Sequence, residues 1–178
     1  ILQAAAQPGR RARQPGGNLS APLIVTATFG ADDHSWLEGL RRKHYPPDRN
    51  QVPVHLTLFH HLPPSLDREL RDRLSDLASH SPPPASLTGI MDLGQGTAFR
   101  VTSDELEDMR AELAAAFRGL LTPQDRAPWR PHVTIQNKVE RREAITLQQE
   151  LQLGDFPRPL TIRGLTSWRY LDGPWERM

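Results

Sequence analysis

One four-residue pattern, His then apolar then Thr then apolar, occurs twice, at His55-Leu56-Thr57-Leu58 and at His132-Val133-Thr134-Ile135. Both copies are β-prone, and on a strand successive side chains point to opposite faces. Each copy therefore anchors itself through its apolar pair and presents an imidazole and a hydroxyl on the other face, roughly 6–7 Å apart. Continued one step, the same alternation puts Phe59 and Gln136 on those polar faces.

The segments around the two copies repeat as well. LIVTATF over 23–29 reads as a strand. A helix follows, capped by Asp32 or Asp33, with Trp36, Leu37, Leu40 and His44 on one face and Pro46-Pro47 as its stop. The first motif strand, from Val54 to Phe59, leads to a helix from about Ser65 with Leu66, Leu70, Leu74 and Leu77 on one stripe. Strands are then expected at 85–91 and 97–101 around Gly94 and Gly96. A capping box at Thr102-Ser103-Asp104-Glu105 opens a helix facing Leu106, Met109, Leu113 and Phe117 inward. The second motif strand starts at His132, a helix follows from about Arg141 with Ala144, Leu147 and Leu151 inside, and residues 159–170 close the chain as one or two strands. Strand, helix, motif strand, helix is thus written twice. This predicts an α+β fold of two pseudo-symmetric lobes, antiparallel sheet with outer helices, around a shared cleft.

Residues 1–20 show no apolar periodicity and read as a flexible leader ahead of one bilobal domain over 21–178. The leader carries Arg10, Arg11 and Arg13 and no acid; with 22 basic and 21 acidic residues in all, the remainder holds 19 basic against 21 acidic. That balance disfavours long nucleic-acid tracts, which reward clustered cations, and leaves room for a nucleotide or a single RNA end. The absence of cysteine excludes disulfides, thiolate zinc sites and a cysteine nucleophile. Without an apolar run of membrane-spanning length or a secretory signal, a cytoplasmic location is expected, as is a monomer with no membrane association and no obligate protein partner.

Two histidines presented on strands suit the opening of a cyclic phosphate. One imidazole can deprotonate the incoming hydroxyl while the other, protonated, supplies the departing oxygen. Thr57 and Thr134 can donate to the non-bridging oxygens as charge develops there. No metal or other cofactor is required. Phe59, Tyr45, Gln136 and Lys138 are the candidate substrate contacts, with Phe59, Tyr45 and Trp129 able to stack on a base. Arg41-Arg42-Lys43 reads as the cationic end of a helix.

HLTLFHH at 55–61 and PHVTIQNK at 131–138 resemble the twin signatures of the two-histidine (2H) phosphoesterases, in the bacterial 2′-5′ RNA ligase and cyclic phosphodiesterase branch. The likeness extends over nearly everything after residue 20. It implies His55 and His132 as acid–base partners, Thr57 and Thr134 as phosphate binders, and a pseudo-twofold cleft. It further implies conversion of a 2′,3′-cyclic phosphate on an RNA end or nucleotide to a 2′-phosphate, with reversible 2′-5′ ligation as a related activity. One departure stands out: family members tend to continue the first motif with Phe-Leu-Gly, and this chain reads Phe59-His60-His61-Leu62.

Two other readings compete. A non-catalytic module could bind RNA ends or nucleotides in the same cleft, but would need only donors, not histidine in both positions. A metal hydrolase would use His55, His60 and His61. Adjacent strand residues point opposite ways, however, and HExxH spacing is missing.

Overall fold

The computed structural model describes residues 20–178, so the leader expected over 1–20 lies, apart from Ser20, outside the described residues. Strand β1 (Leu23–Phe29) is buried along nearly its whole length and runs into helix α1 (Ala31–His44). The cap position is Gly30, and Asp32 and Asp33 sit in the first turn instead of capping. There they still meet the positive end of the helix dipole, and Asp33 accepts the Thr161 backbone N–H at 2.8 Å.

Strand β2 (Leu56–Leu62) begins just after His55 and is followed by α2 (Asp67–Ala78). Leu70, Leu74 and Leu77 form the buried stripe of α2, as their helical spacing dictates. Strands β3 (Pro84–Asp92) and β4 (Gly96–Thr102) form an antiparallel pair. Helix α3 (Asp104–Ala116) is capped one residue later than its sequence suggests, by Ser103, whose hydroxyl accepts the Leu106 N–H at 3.2 Å. After the short α4 (Pro123–Arg126) come β5 (His132–Asn137) and α5 (Arg141–Gln152). One long strand, β6 (Arg158–Tyr170), and the short β7 (Trp175–Arg177) complete the fold.

The sheet order is β2-β1-β6-β3-β4-β5, with β7 paired to β6 and every pairing antiparallel. The duplication is visible in this order with an exchange. Each repeat is strand, helix, motif strand, helix, strand, and the last strand of each crosses to pair with the first strand of the other: β3 with β4, and β6 with β1. The exchanged strands meet each other from Pro84↔Thr161 to Leu87↔Arg158, on the line between the lobes. The motif strands β2 and β5 therefore fall at opposite ends of the order. They are nonetheless in contact, because the sheet curls until its two edges face one another. Leu56, Leu58, Phe99, Val133 and Ile135 share one core cluster, so the two lobes are held by common packing.

Candidate active site

The two motif histidines are held in the same way. His55 Nδ1 lies 2.8 Å from the Pro53 carbonyl, and His132 Nδ1 lies 2.6 Å from the Arg130 carbonyl. A carbonyl can only accept, so Nδ1 carries the proton and Nε2 is left as the basic atom of each neutral ring. The carbonyl comes from two residues earlier in both copies, which fixes both imidazoles by local backbone alone. Leu56, Leu58, Val133 and Ile135 are fully buried, and Thr57 and Thr134 sit half-buried on the opposite side. Among the described residues neither threonine hydroxyl forms a hydrogen bond. Trp129, just before β5, donates its indole N–H to the Thr57 carbonyl at 2.9 Å and ties the two motif strands together.

The alternation stops after each threonine. Thr26 pairs with Thr57, but the next residue back on β1, Val25, pairs with Phe59, leaving Leu58 as an extra residue on β2. Likewise Ala98 pairs with Thr134 while Thr97 pairs with Gln136, leaving Ile135 as the extra residue on β5. A bulge therefore sits at the same point of both motifs and turns the following side chain away from the polar face. This corrects two expected contacts. Phe59 is fully buried in the core with the Arg110 guanidinium 4.9 Å from its ring. Gln136 is buried, its Oε1 accepting from the Thr97 hydroxyl at 3.5 Å. Just beyond the second bulge Gly96 pairs with Asn137, and any Cβ there would collide with the Gln136 carbonyl and the Asn137 backbone.

A polar cavity of about 370 Å³ opens beside the first histidine, lined by His55, Thr134, Tyr45, Lys138, Arg41 and Trp175 among others. Tyr45 and Lys138, both expected near substrate, do face it. Arg41 and Trp175 were not anticipated. Arg41 is 3 % exposed, donates to the Thr134 carbonyl at 2.9 Å and to Asn50 Oδ1 at 2.8 Å. It falls four residues after the buried Leu37, so its place on the inner stripe of α1 was the available signal. Trp175 arrives from β7 and lies 4.6 Å from the His55 ring; no local pattern announced it. A more apolar cavity of about 500 Å³ lies elsewhere, between Trp36, Phe99 and Phe156, and contains no motif residue.

Burial pushes the His55 imidazole down to about 4, against its bond to Pro53, with the positive charges of Arg41, His60 and His132 adding to the effect. His55 is therefore neutral near pH 7 and available as a base. His60 and His61 serve a different purpose. Their backbone N–H groups donate to the two oxygens of buried Asp125 at 2.9 Å each, and His60 Nδ1 lies 3.1 Å from the same carboxylate. This fastens the far end of β2 to α4. Among the described residues no three His, Cys, Asp or Glu side chains are grouped to hold a metal ion, and no helix is long and apolar enough to cross a membrane.

Comparison with known proteins bears on this geometry. The sequence profile of the 2′-5′ RNA ligase superfamily matches residues 30–174, well over half of the chain, which therefore belongs to that superfamily. No curated protein matches it by sequence. Solved structures share the fold. The E. coli LigT structure complexed with 3′-AMP superposes with TM-score 0.55 at 19% identity, covering 89% of this chain and 94% of that one. TT0787 of Thermus thermophilus gives 0.56 at 16%, covering 88% and 94%. A protein described as a phosphoesterase gives 0.52 at 17%, covering 89% and 95%.

Proposed function

We propose that this member of the 2′-5′ RNA ligase superfamily is a cyclic phosphodiesterase that opens a 2′,3′-cyclic phosphate on an RNA end or nucleotide, leaving a 2′-phosphate, with no metal. The observation that carries the reading is the matched presentation of two imidazoles. Each has its Nδ1 tied to the carbonyl two residues earlier, each is followed two residues on by a threonine whose hydroxyl forms no hydrogen bond among the described residues, and they stand at the starts of two edge strands that touch.

His55, neutral near pH 7, is assigned the base. Its Nε2 takes a proton from water, whose oxygen forms the new bond to phosphorus. The bond from phosphorus to the 3′ oxygen breaks on the far side, and His132 gives that oxygen a proton. Thr57 and Thr134 donate to the non-bridging oxygens. Replacing water by a ribose 5′-hydroxyl gives 2′-5′ ligation through the same groups. The next turnover requires the transferred proton to leave His55 and a proton to return to His132.

The test is a panel of nucleoside 2′,3′-cyclic phosphates and cyclic-ended oligoribonucleotides, assayed after exhaustive EDTA treatment and dialysis. Turnover that survives chelation supports the reading. Activity lost on chelation and restored by zinc or manganese would overturn metal independence. Tight binding of the same ligands without turnover would favour a non-catalytic nucleotide-binding module.

A further inference from the structure

We infer that Arg41 is a phosphate-binding residue of the cleft, taking the same anionic group as the Thr134 hydroxyl. The inference rests on the functional reading above and adds a cation that the His-x-Thr grammar does not contain.

A guanidinium keeps its proton under ordinary conditions, and burying one without a counter-charge is unfavourable. Arg41 is 3 % exposed, yet among the described residues no carboxylate lies within salt-bridge distance of it. Glu38, one turn earlier on α1, spends its oxygens on the Val54 N–H at 2.7 Å and on Arg42 at 3.4 Å. What holds Arg41 is neutral: Asn50 on its Nε, the Thr134 carbonyl on its Nη1, and the Tyr45 ring 4.2 Å from its carbon.

These contacts orient the group; the field of Glu38 supports its charge from beyond ion-pair distance, and burial outweighs that support. The Tyr45 side chain adds a hydrogen bond that supports the charge, while Asn50 and Thr134 take Nε and Nη1 and leave Nη2 to neither. Arg41 itself lines the cavity that His55 and Thr134 line. That cavity carries Arg49 and Lys138 at its rim and no carboxylate on its wall. A planar fork lining the cavity, a buried charge with no carboxylate at ion-pair distance among the described residues, and the neighbouring Thr134 hydroxyl match a tetrahedral oxyanion.

The arrangement also couples the anion site to the motif strand. The Thr134 main chain positions Arg41 while its side chain points into the same space, so one residue sets both donors. An anion bound there offsets the buried charge that depresses His55.

The experiment uses the full chain and inorganic phosphate. In the wild-type protein, phosphate titration should move the Arg41 guanidinium N–H resonances and saturate. In parallel, Arg41→Met and Arg41→Lys are compared with Arg42→Gln, which removes one exposed charge from the same turn. Loss of a charge-assisted hydrogen bond predicts a fall of about 10–100-fold in kcat/KM for Arg41→Met, a matching weakening of phosphate inhibition, and partial recovery in Arg41→Lys. Arg42→Gln should behave as wild type. Arg41 resonances that ignore phosphate would overturn the inference, even if Arg41→Met does not fold. So would a folded Arg41→Met with unchanged phosphate affinity. If phosphate moves Arg41 while no cyclic phosphate is turned over, the catalytic reading falls and the anion site stands.

Discussion

The indole of Trp175 lies 4.6 Å from the imidazole of His55, tilted 51° to it. A residue of the last strand thus closes over the first motif histidine, held in place by Trp168 at 6.0 Å, whose own indole N–H donates to Thr26. The covering matters because burial is the largest cause of the lowered proton affinity of His55.

Trp175→Ala should therefore raise the His55 pKa from about 4 towards its ordinary value near 6.5, as read by imidazole NMR titration, and move the acid limb of the rate profile to higher pH. The sign also appears in stability. Between about 6.5 and about 4 the unfolded chain binds more protons than the native one, so the contribution of His55 falls as pH drops through that window and levels off below it. Denaturation across pH 4–8 should show a shallower loss in Trp175→Ala from this group. An unchanged His55 titration would mean that the burial comes from elsewhere.

His55→Ala and His132→Ala should each lower turnover at least about 10²-fold, the lower range for losing an acid or a base. Melting temperatures should remain near wild type. The double variant should lose less than the product of the two single losses, since the groups act as one unit. Strict multiplication of the two effects would instead mean that the imidazoles act independently.

The helices and the motif strands were legible because each obeys a local period. Leu70, Leu74 and Leu77 recur at helical spacing, and Leu56 and Leu58 alternate with His55 and Thr57. The positions of Phe59 and Gln136 were not legible, because the bulges that bury them are set by register against β1 and β4, and register is a property of two strands. Arg41 does stand in the cationic last turn of α1 as read, but its burial was not legible, for a related reason. Its neighbours Arg42 and Lys43 do decorate the exposed helix end, and only the inner stripe shared with Leu37 separates it from them. The exchange of β3 and β6 between repeats, and the arrival of Trp175 over His55, join segments far apart in sequence whose own composition records nothing of their partner.

Asp125 makes a prediction about stability. It is 1 % exposed and its carboxylate takes the backbone N–H groups of His60 and His61. Burial opposes its charge, but the bonds from His60 and His61 prevail and hold it below the usual carboxylate range. Asp125→Ala removes the acceptor of two part-buried backbone N–H groups and should destabilise the fold by about 1–3 kcal/mol. Its stabilising effect is present above the ordinary carboxylate pKa and is lost as pH falls through the lowered one. Urea denaturation of the variant at neutral pH checks the first statement, and a wild-type series into acid checks the second. A cost near zero would show that the end of β2 is fastened by packing alone.

The final prediction concerns which phosphate is formed. In-line displacement puts the attacking and departing oxygens on opposite sides of phosphorus, so in the proposed reaction the two imidazoles serve different oxygens. In the proposed reaction His55, neutral near pH 7, is the base on the side of Arg41 and Trp175, and His132 is the acid for the leaving oxygen. If that oxygen is the 3′ one, hydrolysis and ligation share a leaving group and differ only in the nucleophile, and both yield a 2′-linked phosphate. The rate should decline towards both acid and alkali, since one histidine must be neutral and the other protonated; the two apparent values belong to the coupled pair. Chromatography of the product from adenosine 2′,3′-cyclic phosphate against 2′- and 3′-monophosphate standards decides the point. A 3′-phosphate would require the sugar to bind in the reverse orientation, with the 2′ oxygen beside His132, and would leave the division of labour between the two histidines intact.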